Sequence, residues 1–247
     1  MTRVATVVPA ESDLLCEACG YTLNGLPDGS NCPECGKPVA ESIGSQRQIP
    51  QWEREGGRTF GAFLATSTEI IFRPTRFYKN LATRREIKPA RQFATLHWII
   101  TSILFGLAMY AHLGWYLTWG MSWMGLRGAP SIWIAAALIV ITYLVLHGVT
   151  YVAARLTTWE AAYRGLRLPL NVVLRGMYYH AAHYLPVALA VAITVWANSM
   201  WEHFHRGASV PSYDTYLYVL CGEVILFAGY LFNTYWIGMR NMMYANR

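Results

Sequence analysis

The chain has 247 residues, 54% of them hydrophobic and only 14% charged. That excludes an ordinary soluble domain, in which about a quarter of the residues carry charge. The formal charge of +6 does not describe a nucleic-acid surface, because the Lys and Arg residues flank apolar runs instead of gathering on one face.

Residues 1–13 (MTRVATVVPAESD) have no apolar core of signal-peptide length and read as a retained, flexible tail. Residues 14–38 carry Cys16, Cys19, Cys32 and Cys35 as C-x2-C, twelve residues, C-x2-C, with Gly20 and Gly36 after each pair. Such a knuckle turns tightly after its first cysteine and aims backbone N–H groups at sulfur. Glycine supplies the backbone angles this needs without a Cβ penalty. Two knuckles place four sulfurs in a closed tetrahedron, the donor set of structural zinc, although an S4 set also accepts iron. Asn24-Gly25 and Asp28-Gly29 are turn signals and predict short hairpins, hence a small β module.

Residues 39–58 read as a polar linker, and 59–91 as an interfacial helical segment. In Thr59–Phe72, Phe60, Phe63, Leu64 and Ile71 recur near helical spacing, and Arg73-Pro74 ends the pattern. Within 92–247 come four apolar runs, Ala94–Trp119, Ser131–Ala154, Met177–Met200 and Tyr213–Met239, the last interrupted only by Asp214 and Glu223. Each reaches the ~20 residues that a helix needs to span a bilayer core. The expected fold is therefore an all-α bundle of four transmembrane helices preceded by the cysteine module. Between the second and third runs, Thr157-x-x-Glu160 reads as a capping box opening a short helix through Leu166, with Trp159 and Tyr163 on one side. That helix and the 59–91 segment either lie in the interface or pack beneath the bundle.

Arg73, Arg76, Lys79, Arg84, Arg85, Lys88 and Arg91 precede the first run; Arg155, Arg164, Arg167 and Arg175 separate the second from the third; Arg240 and Arg247 follow the fourth. The other two loops offer only Arg127 and Arg206. The positive-inside rule then puts both termini in the cytoplasm, where thiols stay reduced and a disulfide framework is disfavoured. Trp115, Trp119, Trp123, Trp133, Trp196 and Trp201 fall near the opposite interface as an aromatic belt. Cys221, inside the fourth run, reads as a small buried hydrophobe.

CEACGYTLNGL…CPECG resembles the zinc-ribbon and rubredoxin-like knuckle families, in which C-x-x-C-G-Y and C-P-x-C-G recur. The resemblance implies a zinc ribbon with Cys16, Cys19, Cys32 and Cys35 as ligands. Zinc would make it a scaffold and iron an electron carrier. The layout from Trp52 to Met239, including FRPTRFYKNL and the residues around Pro74, Tyr184 and Pro186, is similar to bacterial membrane proteins related to the Yip family. That likeness implies a membrane-organising or partner-binding role without catalysis.

Polar residues inside spans are candidates for function, because a charge at mid-bilayer costs ~2.5–3.5 kcal/mol on insertion scales. Glu223 is either an ion- or proton-handling carboxylate or a protonated acid bonded to a neighbouring Tyr, Trp or His. His97, His147, His180 and His183 come from three runs at one predicted depth, and His180 and His183 are three apart on one helical face. Together they suggest a metal or haem site, or simply histidines tolerated near headgroups. The chain shows no nucleotide-binding glycine loop, no nucleophile elbow, no HExxH and no paired carboxylates at catalytic spacing. The expected role is a cytoplasmic interaction or membrane-organising module on a membrane anchor; the alternatives are a membrane redox protein and a small transporter using Glu223. Expected partners are membrane lipids and a cytoplasmic protein, with no nucleic acid, and a homo-oligomer is left open.

Overall fold

The computed structural model describes residues 8–10, 12–43, 47–117, 131–204 and 213–246. Trp119, Trp123, Arg127 and Arg206 lie outside these residues, as does the side chain of Trp115. Among the described residues the regular structure is helical. It comprises α1 (Val39–Ile43), α2 (Phe60–Phe72), α3 (Pro74–Asn80), α4 (Lys88–Trp115), α5 (Ile132–Tyr163), α6 (Leu170–His180), α7 (Tyr184–Phe204) and α8 (Tyr213–Met242). Four stretches are long and apolar enough to cross a membrane, Lys88–Gly114, Ile132–Tyr163, Leu170–Trp201 and Thr215–Met242, which makes this an integral membrane protein.

The third of these is built from two helices. α6 ends at His180, a 3₁₀ turn covers Ala181–His183, and α7 begins at Tyr184. Pro186 explains the break: it has no N–H to donate, and its ring excludes an α-helical carbonyl four residues back, at Ala182. The 3₁₀ turn tightens the backbone so that Pro186 falls in the first turn of a new helix, where it costs little.

α5, by contrast, runs without interruption past the expected capping box. The Thr157 hydroxyl donates to Ala153 O one turn back (2.7 Å) and lies 2.6 Å from the Tyr235 hydroxyl, so it caps nothing. No Gly or Pro breaks the chain there. The helix stops instead at Gly165, whose positive φ of 74° lets Leu166 N–H reach Ala161 O and Gly165 N–H reach Ala162 O. This is a Schellman end. α2 starts and ends where its residues predict: Thr59 accepts a hydrogen bond from Ala62 N–H, and Arg73-Pro74 closes it. Its buried face is Phe63, Thr66, Ser67 and Ile70, while Phe60 and Leu64 are exposed.

The chain divides into two compact units. One comprises Met1–Ala94, Thr150–His180 and Thr234–Arg247; the other comprises Thr95–Val149 and Ala181–Asn233. The first holds the cysteine module, α1 to α3 and the helix stretches on the termini side of each apolar run. Its core is aromatic: Trp52, Phe63 and Phe93 meet with ring centroids 5.4–6.0 Å apart, and Tyr179 stands 5.2 Å from both Phe77 and Phe93. Trp52 comes from the stretch expected as a linker. It is anchored by N–H to Thr66 Oγ1 and by its indole N–H to Pro89 O (2.9 Å). The same stretch forms α1, and Gln48 bridges in parallel to Leu81, because its apolar residues Val39, Ile43 and Trp52 have surfaces to bury against.

At the centre of this unit is a buried ion pair. Arg175 Nη2 lies 2.7 Å from Glu53 Oε2, with the two side chains 0% and 5% exposed. Arg175 also donates to Ala82 O and Glu86 O, and the Tyr179 hydroxyl donates to Glu53 Oε1. Each of the three guanidinium nitrogens thus has a partner, and such hydrogen bonding is what makes a buried charge tolerable. Arg175 therefore works inside the protein as a staple between α6 and the segment around Glu53, in addition to any topological role.

In the second unit small residues bring helices close. Ala108, Ala192 and Val195 pack with Ala111, Val191 and Leu220, and a Cβ at Gly106 would come within 2.9 Å of Ile139 Cα. Outward surfaces carry Val140, Leu144, Ile225 and Leu226, as expected of lipid-facing helices. Trp133, Trp196 and Trp201 are exposed. Cys221 is exposed too, which corrects its reading as a buried hydrophobe: it falls on an outward face of α8.

Replacing Glu53 by Ala leaves Arg175 buried and uncompensated and lowers stability by about 3–5 kcal/mol. Thermal unfolding in detergent, followed by tryptophan fluorescence, checks this. The pair Glu53→Leu with Arg175→Met recovers much of the loss, and an unshifted transition in the single variant would show that the ion pair is dispensable.

Candidate metal centre

The cysteine module is a small structure used twice. Cys16 N–H donates to Tyr21 O and Cys32 N–H to Lys37 O; Gly20 N–H donates to Cys16 O and Gly36 N–H to Cys32 O. Leu23 N–H to Leu14 O and Val39 N–H to Ser30 O complete each copy. All these pairs are related by one shift of sixteen residues. Gly20 and Gly36 take φ of 83° and 73°, the left-handed region that glycine enters freely.

Each copy closes on a single antiparallel bridge, Leu15 with Thr22 and Asn31 with Pro38, and no strand forms among the described residues. The expected β module is thus reduced to two bridged turns. Backbone donors are consumed by the knuckles, while Pro27, Pro33 and Pro38 have none to give, so too few are left for a ladder. Asn24 is used locally: its Oδ1 accepts from Leu14 N–H and its Nδ2 donates to Asp13 Oδ1.

The two knuckles bring the four sulfurs together. Cys16 Sγ is 3.5 Å from Cys35 Sγ, Cys19 Sγ is 3.6 Å from Cys32 Sγ, and all four lie within 4.8 Å of one another. A tetrahedral tetrathiolate with metal–sulfur bonds of ~2.3 Å requires sulfur separations of ~3.8 Å. The quartet fits that requirement and can hold a metal ion. Four thiolates this close cannot all ionise without a cation between them. The unevenness of the thiols reflects the crowding. Burial pushes the Cys19 thiol up against a hydrogen bond from Tyr21 N–H. At Cys32 burial also opposes the thiolate, but the N–H groups of Cys35 and Glu34 outweigh it and bring the pKa down to about 7. Cys35 accepts from Lys37 N–H, yet burial and the Cys16 sulfur raise it overall. These N–H donors at sulfur are the outer partners expected of metal-bound thiolates.

The module is sewn to the rest of its unit, a feature no sequence motif announced. Asn246 pairs with both backbone groups of Leu15: its Oδ1 accepts from Leu15 N–H (2.9 Å) and its Nδ2 donates to Leu15 O (2.7 Å). Arg47, 4% exposed at its side chain, grips Glu17 through Nε and Nη2 and also donates to Tyr78 O, Leu81 O and Asn241 O. Arg167 donates to Ala10 O, Asp13 O and Asn246 Oδ1. Cys16, Leu23, Cys32 and Val39 form the module's own buried core. So small a core does not hold a fold together by itself.

The other candidate residues are dispersed. His180 Nε2 is 3.1 Å from Thr234 Oγ1 in the first unit. In the second, His183 Nδ1 is 2.7 Å from the Tyr230 hydroxyl, His147 stands edge-on to Trp98, and His97 is fully buried. His180 ends α6 and His183 ends the 3₁₀ turn, so they do not share one continuous α-helical face. Among the described residues, the cysteine quartet is the group of three or more His, Cys, Asp or Glu whose ligand atoms converge. Glu223 Oε1 accepts from Thr194 Oγ1 at 2.5 Å, a hydroxyl partner on α7, where Tyr, Trp or His had been expected.

Fold and site together define an integral membrane protein with a four-cysteine module whose sulfurs are placed so that they can hold a metal ion. No protein-family model, curated protein or solved structure matches the chain.

The two knuckle glycines differ in one respect. A Cβ at Gly20 would meet the Tyr244 ring at 2.4 Å, whereas at Gly36 nothing lies within 4 Å. Gly36→Ala therefore costs only the backbone strain, about 1–2 kcal/mol. Gly20→Ala costs more, because the ring on the C-terminal segment must also move. Metal-release temperatures of the two variants check the order, and equal effects would mean that Tyr244 does not pack there.

Proposed function

We propose that this chain is a membrane-anchored zinc protein in which the cysteine module serves as a structural interaction or membrane-organising element on the cytoplasmic side. The observation that carries the reading is the closed sulfur quartet. Four cysteines from two equivalent knuckles complete a tetrahedron and leave no position for water or substrate, which is the arrangement of structural zinc and not of a catalytic metal. The zinc-ribbon resemblance of its ligand spacing supports the same metal, and the Yip-like layout supports an organising role. The cytoplasmic side follows from the basic residues before α4, among them Arg73, Arg76, Arg84 and Arg85.

Iron in the same sulfurs would make an electron carrier. Such a carrier needs a second centre to pass electrons to, and the histidines offer no converging set among the described residues. A transporter reading rests on Glu223, whose carboxylate is paired with Thr194.

Metal analysis of the full chain, purified in detergent without added metal, should find about one zinc per chain and no iron. Iron instead of zinc would overturn the structural reading. The double variant Cys16→Ser/Cys19→Ser should lose the metal and unfold the module, since zinc contributes ~10–16 kcal/mol of apparent binding energy to small zinc-finger peptides. Its four spans should still insert, because insertion follows their apolar content. The detergent-solubilised variant should unfold at a lower temperature, because Asn246, Arg47 and Arg167 lose the surface they grip. An unchanged transition in that metal-free variant would sink the structural role.

A further inference from the structure

We infer that a cleft beside the first cysteine knuckle binds the phosphate of an anionic phospholipid headgroup. The cleft measures about 710 Å³ and lies within the unit that holds the cysteine module. Three elements converge on it. The module contributes Lys37, the end of α3 contributes Lys79, and the last turns of α8 contribute Trp236 and Arg240.

Charge comes first. The ion pairs among the described residues are Arg47–Glu17, Arg164–Glu160 and Arg175–Glu53, so Lys37, Lys79 and Arg240 have no carboxylate partner. Arg47 and Glu17 also line the cleft but are spent on each other. Glu41 and the Cys19 sulfur are the remaining acidic groups in the lining, facing the three cationic side chains Lys37, Lys79 and Arg240. Three unpaired cations around one concavity call for an anion with several acceptor oxygens, and a phosphate supplies them.

Position selects the source of that phosphate. The membrane-crossing stretch of α8 is Thr215–Met242, so Trp236 and Arg240 occupy its last turns. They are four residues apart and hence on one helical face. Trp236 is 50% exposed although it lines the cleft. A half-exposed Trp followed one turn later by Arg is the arrangement that meets headgroups at a membrane surface. A soluble phosphate would need no indole beside it.

The test is native mass spectrometry of the full chain in detergent, titrated with phosphatidylglycerol and, separately, phosphatidylcholine. The wild type should retain phosphatidylglycerol in preference. Lys79→Gln and Arg240→Gln should each reduce that preference about fivefold, the contribution of one Lys or Arg near an anionic surface. The double variant should abolish it. Arg164→Gln, which removes an exposed cation elsewhere on the first unit, should leave it intact, and metal content reports that each variant is folded. Equal retention of the two lipids by the wild type would overturn the site, as would an Arg164→Gln effect as large as that of Arg240→Gln. Displacement of phosphatidylglycerol by inorganic phosphate, with phosphate adducts appearing on lipid-free protein, would reassign the cleft to a soluble phosphoryl ligand and overturn the lipid assignment.

Discussion

Four sulfur atoms held within 4.8 Å of one another set the terms for the whole N-terminal part of this protein. Negative charge cannot collect on all of them without a cation, and the short segment that carries them buries too little apolar surface to fold unaided. Two solutions operate together. The knuckles turn backbone N–H groups toward sulfur, so that Cys19, Cys32 and Cys35 each accept at least one such bond. The remainder of the unit then clamps the module from outside through Asn246, Arg47 and Arg167. The fold of the knuckles and the packing of the helix ends thus meet in one set of contacts, since Asn246, Arg47 and Arg167 grip backbone and side-chain groups of the module.

The clamping residues show how one arginine serves two purposes. Arg167 and Arg175 lie in the connection whose basic character predicts membrane orientation. Both are nonetheless buried and committed to partners, Arg167 to the carbonyls of Ala10 and Asp13 and Arg175 to Glu53. The planar guanidinium suits this, since its several fixed donors can satisfy backbone carbonyls and a carboxylate at once, where an ammonium is a single point charge. A charge count along the sequence registers such residues only as cations.

Inside the helices, polar groups are handled pairwise. His180 meets Thr234, His183 meets Tyr230, His112 meets Tyr216, and Glu223 meets Thr194. In a medium without water each such pair satisfies one polar atom that would otherwise be costly to bury. Of the four histidines that look like a cluster when runs are aligned by depth, His180 and His183 are thus given to separate hydroxyl partners, while His147 meets the Trp98 ring.

The local residues alone determined the four apolar helices, the ends of α2 and the cysteine quartet. Span length, the apolar spacing from Thr59 to Phe72, the Arg73-Pro74 stop and two CxxC knuckles act over a few residues, so they are legible without knowing what surrounds them. Tertiary structure decided the rest. Thr157 carries a capping-box signature yet sits inside a continuous helix, because its hydroxyl finds Ala153 O and Tyr235 and only Gly165 offers the backbone a way to stop. The part of the polar stretch around Trp52 took on structure because Trp52 has an aromatic pocket made from Phe63 and Phe93, farther along the chain. The pairing of Asn246 with Leu15 spans nearly the whole sequence, and no periodicity or motif encodes it. Contacts of that kind depend on which distant surfaces meet, which is a property of the folded chain and not of any segment in it.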